Sequence, residues 1–167
     1  MTKLVALALL AQSVSIQDNA LQDWMRLKDT MMKIAAAMPE EKFSYRATPA
    51  ERTWGEQILH VAEANIVQMG RFGAKAKAPA YNMKATARAE ILKTLEASFD
   101  FGTAALKEQT DQTMLAQAES TRFDRFMGPS TKARVAYYVI GHTWDIYGQM
   151  VVYLRLNGIT PPASQRY

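Results

Sequence analysis

Residues 133–157 read ARVAYYVIGHTWDIYGQMVVYLRLN, and the way this stretch folds decides the rest of the chain. Apolar and aromatic residues recur through it at three- and four-residue steps, the spacing of a helix with one buried face. Ser130 or Thr131 is placed to cap its start, and Gly158 followed by Pro161 and Pro162 stops it. It carries His142, one of only two histidines in the 167-residue chain. The other, His60, lies near the middle of a second helical stretch, TWGEQILHVAEANIVQM, residues 53–69.

Working outward, that second stretch opens on Thr53 with Glu56 three residues on, the capping-box spacing. Trp54, Ile58, Val61, Ala62, Asn65, Ile66 and Met69 fall on or near one face, and the helix is expected to end near Phe72. A first helix is expected over residues 19–38, capped by Asp18 or Asn19 and closed by Pro39. Its stripe is Leu21, Trp24, Met25, Lys28, Met31, Met32, Ala35 and Met38, read as core filler. Between these helices, Phe43 and Tyr45 are expected to close one end of the core. A third helix is expected over residues 86–109 with Ile91, Leu95, Ser98, Phe99, Gly102, Ala105 and Leu106 inward, the small residues admitting a close neighbour. Residues 110–129 carry no clear pattern until Gly128-Pro129 ends them. Four amphipathic helices with little strand signal predict an all-α chain folded as a four-helix bundle.

The totals agree with one globular domain: 49% hydrophobic and 22% charged residues over 167 positions. With no cysteine, thiolate metal sites, disulfides and cysteine nucleophiles are excluded. The net charge of +4 is spread thinly. Its one loose cluster, Arg71, Lys75, Lys77 and Lys84, reads as a solvated face, so no nucleic acid is expected as a partner. Residues 1–15, MTKLVALALLAQSVS, read as a short secretory signal cleaved after Ser13 or Ser15, which favours an exported, periplasmic protein. The other reading is an N-terminal helical extension packed on the bundle of residues 16–167, in a cytoplasmic protein. The apolar run is too short to span a bilayer.

The histidines carry the functional question. His60 has Glu63 at i+3 and His142 has Asp145 at i+3, so each imidazole sits beside a carboxylate on its own helix. Neutral imidazole and carboxylate suit a divalent ion such as zinc or nickel, and bundle cores build such sites from facing helices. The plainer reading is two packed, hydrogen-bonded histidines. No Ser/His/Asp pattern or phosphate-cradling glycine loop accompanies them, and Glu90 and Glu96 read as solvated surface.

At residues 38–65, MPEEKFSYRATPAERTWGEQILHVAEAN, and 142–164, HTWDIYGQMVVYLRLNGITPPAS, the chain resembles the DinB-like family of metal-dependent hydrolases. The resemblance covers nearly everything after residue 16. It implies an up-down-down-up bundle with three histidines around one divalent metal, and it implies hydrolase or thiol-transferase chemistry. The first two family histidines match His60 and His142. The third position holds Ile146, leaving Asp145, or more weakly Gln149, to complete a degenerate site. The resemblance also implies a homodimer, for which Val151, Val152 and Leu156 offer an apolar face. Two readings follow: a metal site held by His60, His142 and Asp145, or a non-catalytic bundle with no metal that binds a small ligand or a partner.

Overall fold

The computed structural model describes residues 14–165. The signal or extension read at residues 1–13 therefore lies outside the described residues. Four long helices form the body: α1 (Ile16–Ala37), α2 (Trp54–Met69), α3 (Arg88–Lys107) and, after two short helices, α6 (Lys132–Leu156). The short ones, α4 (Asp111–Leu115) and α5 (Asp124–Met127), lie in the stretch that has no clear sequence pattern. Among the described residues the only β pairing is an isolated bridge between Gln117 and Thr131.

Each long helix packs on two others, giving the ring α1–α3–α2–α6. Named contacts fix the directions. Gln17 reaches the Leu106 carbonyl and Arg88 the Ala36 carbonyl, so α1 and α3 are antiparallel. Gly55 faces Ile91 and Asn65 donates to Ser98, so α2 runs parallel to α3. Gln57 meets Gln149 and His60 meets His142, so α6 runs against α2. The order is up-down-down-up.

The local signals explain most boundaries. Thr53 and Glu56 form the full capping box, each side chain satisfying the other's backbone N–H. Thr131 caps α6 by accepting from the Arg134 N–H. The α2 and α3 stripes are buried as expected. In α1, by contrast, the buried face is Ala20, Trp24, Leu27, Met31, Ile34 and Ala35, while Met25 is exposed and Lys28 pairs with Asp100 on α3. The cap also lies further out than expected, at Ser15 rather than Asp18 or Asn19. The Ser15 hydroxyl donates to Asp111 at 2.8 Å and accepts from the Asp18 N–H. α3 starts after Ala87 without a side-chain cap, two residues later than expected.

Phe43 is buried and Tyr45 half-buried at the end of the core where α2 begins. Their carbonyls accept the first N–H groups of α2, from Gly55 and Trp54. No described helix is long and apolar enough to cross a membrane.

Candidate functional site

The antiparallel register of α2 and α6 brings the two histidines together. His60 Nε2 and His142 Nε2 lie 3.1 Å apart, with ring centroids at 4.9 Å and planes 62° apart. Tyr138, one turn before His142, stacks on its ring at 6.5 Å. Both imidazoles are half-buried. Burial, helped by Arg52 and by His142, lowers the pKa of His60 to about 4. Burial also lowers that of His142, against the opposing pull of Asp145. Both are therefore neutral near pH 7, so one Nε2 carries the proton and the other accepts it.

The pair stands between two openings. On one side is an apolar cleft of about 60 Å3 between Val67, Val139, Tyr138 and Phe123, with Glu63 and Gln68 at its edge. On the other is an open charged groove of about 440 Å3, shared by Arg52, Glu51, Glu56 and Glu63. Glu63, the i+3 neighbour of His60, borders both.

Asp145 and Ile146 are placed differently. Asp145 is exposed, and its Oδ2 accepts from Gln149 Nε2 at 3.1 Å. Gln149 Oε1 in turn accepts from Gln57 Nε2 at 2.9 Å, which locks the amide pair across α2 and α6. Ile146 is 2% exposed. Three buried polar atoms near this contact lack a partner: Gln57 Oε1, His142 Nδ1 and Thr143 Oγ1.

The fit to a divalent ion follows from these distances. Zinc–imidazole bonds of about 2.0–2.1 Å place two ligand nitrogens roughly 3.0–3.4 Å apart, so the histidine pair matches two corners of one coordination sphere. Among the described residues no group of three His, Cys, Asp or Glu side chains could hold a metal. Nor is His142 Nδ1 tied to a carboxylate or carbonyl, as ligand imidazoles usually are. The residues do not fit the three-histidine centre that the resemblance implies.

Some residues around the histidines escape sequence reasoning. Gln57 lies one turn from His60, so helical spacing alone could have found it; Gln149, the weaker candidate of the sequence reading, bonds Gln57 and Asp145. Phe123 comes from the patternless stretch and has no local signal. Arg71, grouped by sequence with the solvated lysines, is 1% exposed and paired with Asp124. That corrects the reading of it as part of a solvated basic face.

Comparison with known proteins agrees with this architecture. A crystal structure of a DinB-like protein from Bacillus cereus superposes with a TM-score of 0.73 at 23% identity, covering 89% of this chain and 96% of that one. A DinB-like protein from Bacillus subtilis superposes with a TM-score of 0.68 at 14% identity, covering 89% and 99%. At these identities the likeness is one of fold. No curated protein matches the chain. The sequence itself matches the DinB family over residues 11–166, nearly its full length, and the chain belongs to that family.

Proposed function

We propose that this chain is a DinB-family bundle that binds a small amphipathic molecule at the His60–His142 cleft. The two neutral imidazoles form its polar anchor, and Tyr138, Val139, Val67 and Phe123 hold its apolar part. The observation that carries this reading is the third position. Ile146, at 2% exposure, puts a branched alkyl group where the family pattern has an imidazole, and Asp145 is engaged by Gln149. Hydrolase or thiol-transferase chemistry of the family kind would need the missing ligand.

A second reading rests on the 3.1 Å separation of the two Nε2 atoms. In it His60 and His142 hold a zinc or nickel ion weakly, with water in the remaining positions. Thermal melting of tag-free protein separates the two. A rise in melting temperature with the small probe phenol, lost in Tyr138→Ala, together with no shift on adding zinc, nickel or manganese, supports the cleft reading. A rise of several degrees with one ion, abolished by His60→Ala, overturns it in favour of the metal.

Two further expectations belong to the same reading. Copies pair through the outer face of α6, where Tyr137, Trp144, Val152 and Leu156 are exposed; sedimentation of the Val152→Glu variant as monomer against a wild-type dimer tests this. Residues up to Ser13 are removed on export, which the intact mass of protein recovered from the periplasm would show.

A further inference from the structure

The segment between α4 and α6 forms a strap whose base is closed by two backbone hydrogen bonds. The Ala118 N–H donates to the Ser130 carbonyl at 2.9 Å and the Lys132 N–H to the Ala116 carbonyl at 3.0 Å. At its tip α5 buries none of its own residues, and Phe126 is 86% exposed. Core packing therefore does not hold the tip in place.

Polar ties to one residue do. Arg71 follows α2 and is almost wholly buried. Its Nε donates to the Glu119 carbonyl at 2.8 Å and its Nη1 to Gln68 Oε1 at 3.2 Å, while its Nη2 pairs with the Asp124 carboxylate. The Arg71 carbonyl also accepts the Glu119 N–H at 2.9 Å. Asp124 is braced from its own side by the Ser120 hydroxyl at 2.7 Å. A buried guanidinium deprived of its carboxylate is strongly disfavoured, so the strap and Arg71 hold each other.

Both ends of this chain of bonds line the histidine cleft. Gln68 lines it from α2, and Phe123, the neighbour of Asp124 in sequence, lines it from the strap. We infer that the Arg71–Asp124 pair is a positioning device that holds Phe123 as the outer wall of the cleft, so that this wall sets the size of molecule reaching His142, which lines this cleft and not the open groove beside His60. With the wall in place, the roughly 60 Å3 opening admits a head group of a few heavy atoms; a bulkier molecule enters only when the strap shifts. The identity of the ligand rests on the binding reading above. The control of access does not.

Diethylpyrocarbonate, which acylates neutral imidazole, tests access directly. His60 and His142 are the only histidines in the chain, and His60 is also open to the charged groove, so the rate is read at His142 in tag-free protein, located by mass spectrometry, with His60 as the internal reference. Phe123→Ala is expected to raise the acylation rate several-fold with little change in melting temperature, because Phe123 lies outside the core. Asp124→Asn is expected to raise it as well, with Ser120→Ala, which removes the brace on Asp124, in its place if the asparagine variant does not fold. A His142 rate equal to wild type in either Phe123→Ala or the folded strap variant overturns the proposal. Raised rates in both, with no binding of phenol to any form, would leave the access control standing and remove the binding reading.

Discussion

A β-carbon on Gly102 would overlap the ring carbons of Trp24. The indole also donates to the Phe99 carbonyl at 3.0 Å and meets the Phe99 ring at 5.0 Å, so it cannot slide away without losing both contacts. Gly102→Ala should therefore act as overpacking and cost about 2 kcal/mol. For a chain of this size that is a fall of about 4–8 °C in melting temperature. Calorimetry checks it, and a drop of under a degree would mean the α1–α3 contact is looser than described.

Stability should fall with acidity through His60. Its folded pKa, about 4, lies below the ordinary value of 6.5, so between these values the unfolded chain binds more protons. The stabilisation from keeping this ring neutral is complete above pH 6.5, declines as pH falls, and is gone below about pH 4. The ring is half-exposed, so we expect a loss on the order of 1–2 kcal/mol, below what the whole shift would give. Melting curves from neutral pH down to about pH 4 should be steeper for wild type than for His60→Asn. Parallel curves would count against this.

Placing an imidazole at position 146 tests whether a third ligand would let the histidine pair hold a metal. Ile146→His places a third nitrogen on α6, one turn beyond His142. Zinc affinity should rise by roughly tenfold or more, given that even indirect partners of ligands matter by such factors. Isothermal titration reads this directly. No gain in affinity would show that position 146 does not face the histidine pair.

Thr53→Ala removes one half of the capping box that starts the His60 helix, the hydroxyl that accepts from the Glu56 N–H, and leaves the backbone N–H that donates to the Glu56 carboxylate. It should cost about 1 kcal/mol, or about 2–4 °C in melting temperature. Glu56 should stay below its ordinary pKa, because the largest cause, its bond to the backbone N–H of residue 53, survives, while the smaller lowering from the Thr53 hydroxyl is lost. A carbon-detected titration of Glu56 in the variant measures this part independently of folding.

The bundle was legible because its cues are local. The Thr53 box, the α2 and α3 stripes and the Gly158 stop each need only neighbouring residues to be read, and each is where the pattern puts it. α1 was harder because two overlapping stripes of long side chains run along it. Which stripe turns inward depends on Gly102 and Phe99 receiving Trp24, and Asp100 drawing Lys28 outward. Ser15 was missed as the cap because its second partner, Asp111, lies 96 residues away.

The four long helices and the place of a carboxylate at i+3 from each histidine were determined by the sequence alone. They depend on spacing along one chain, and spacing is all that the 3.6-residue period requires. Only the tertiary structure decided that His60 and His142 meet through Nε2, that Asp145 is drawn to Gln149, and that Arg71 is buried under the strap that carries Phe123. Those outcomes turn on which faces of separate helices share an interface, and on charges that are tolerable only when a distant partner arrives.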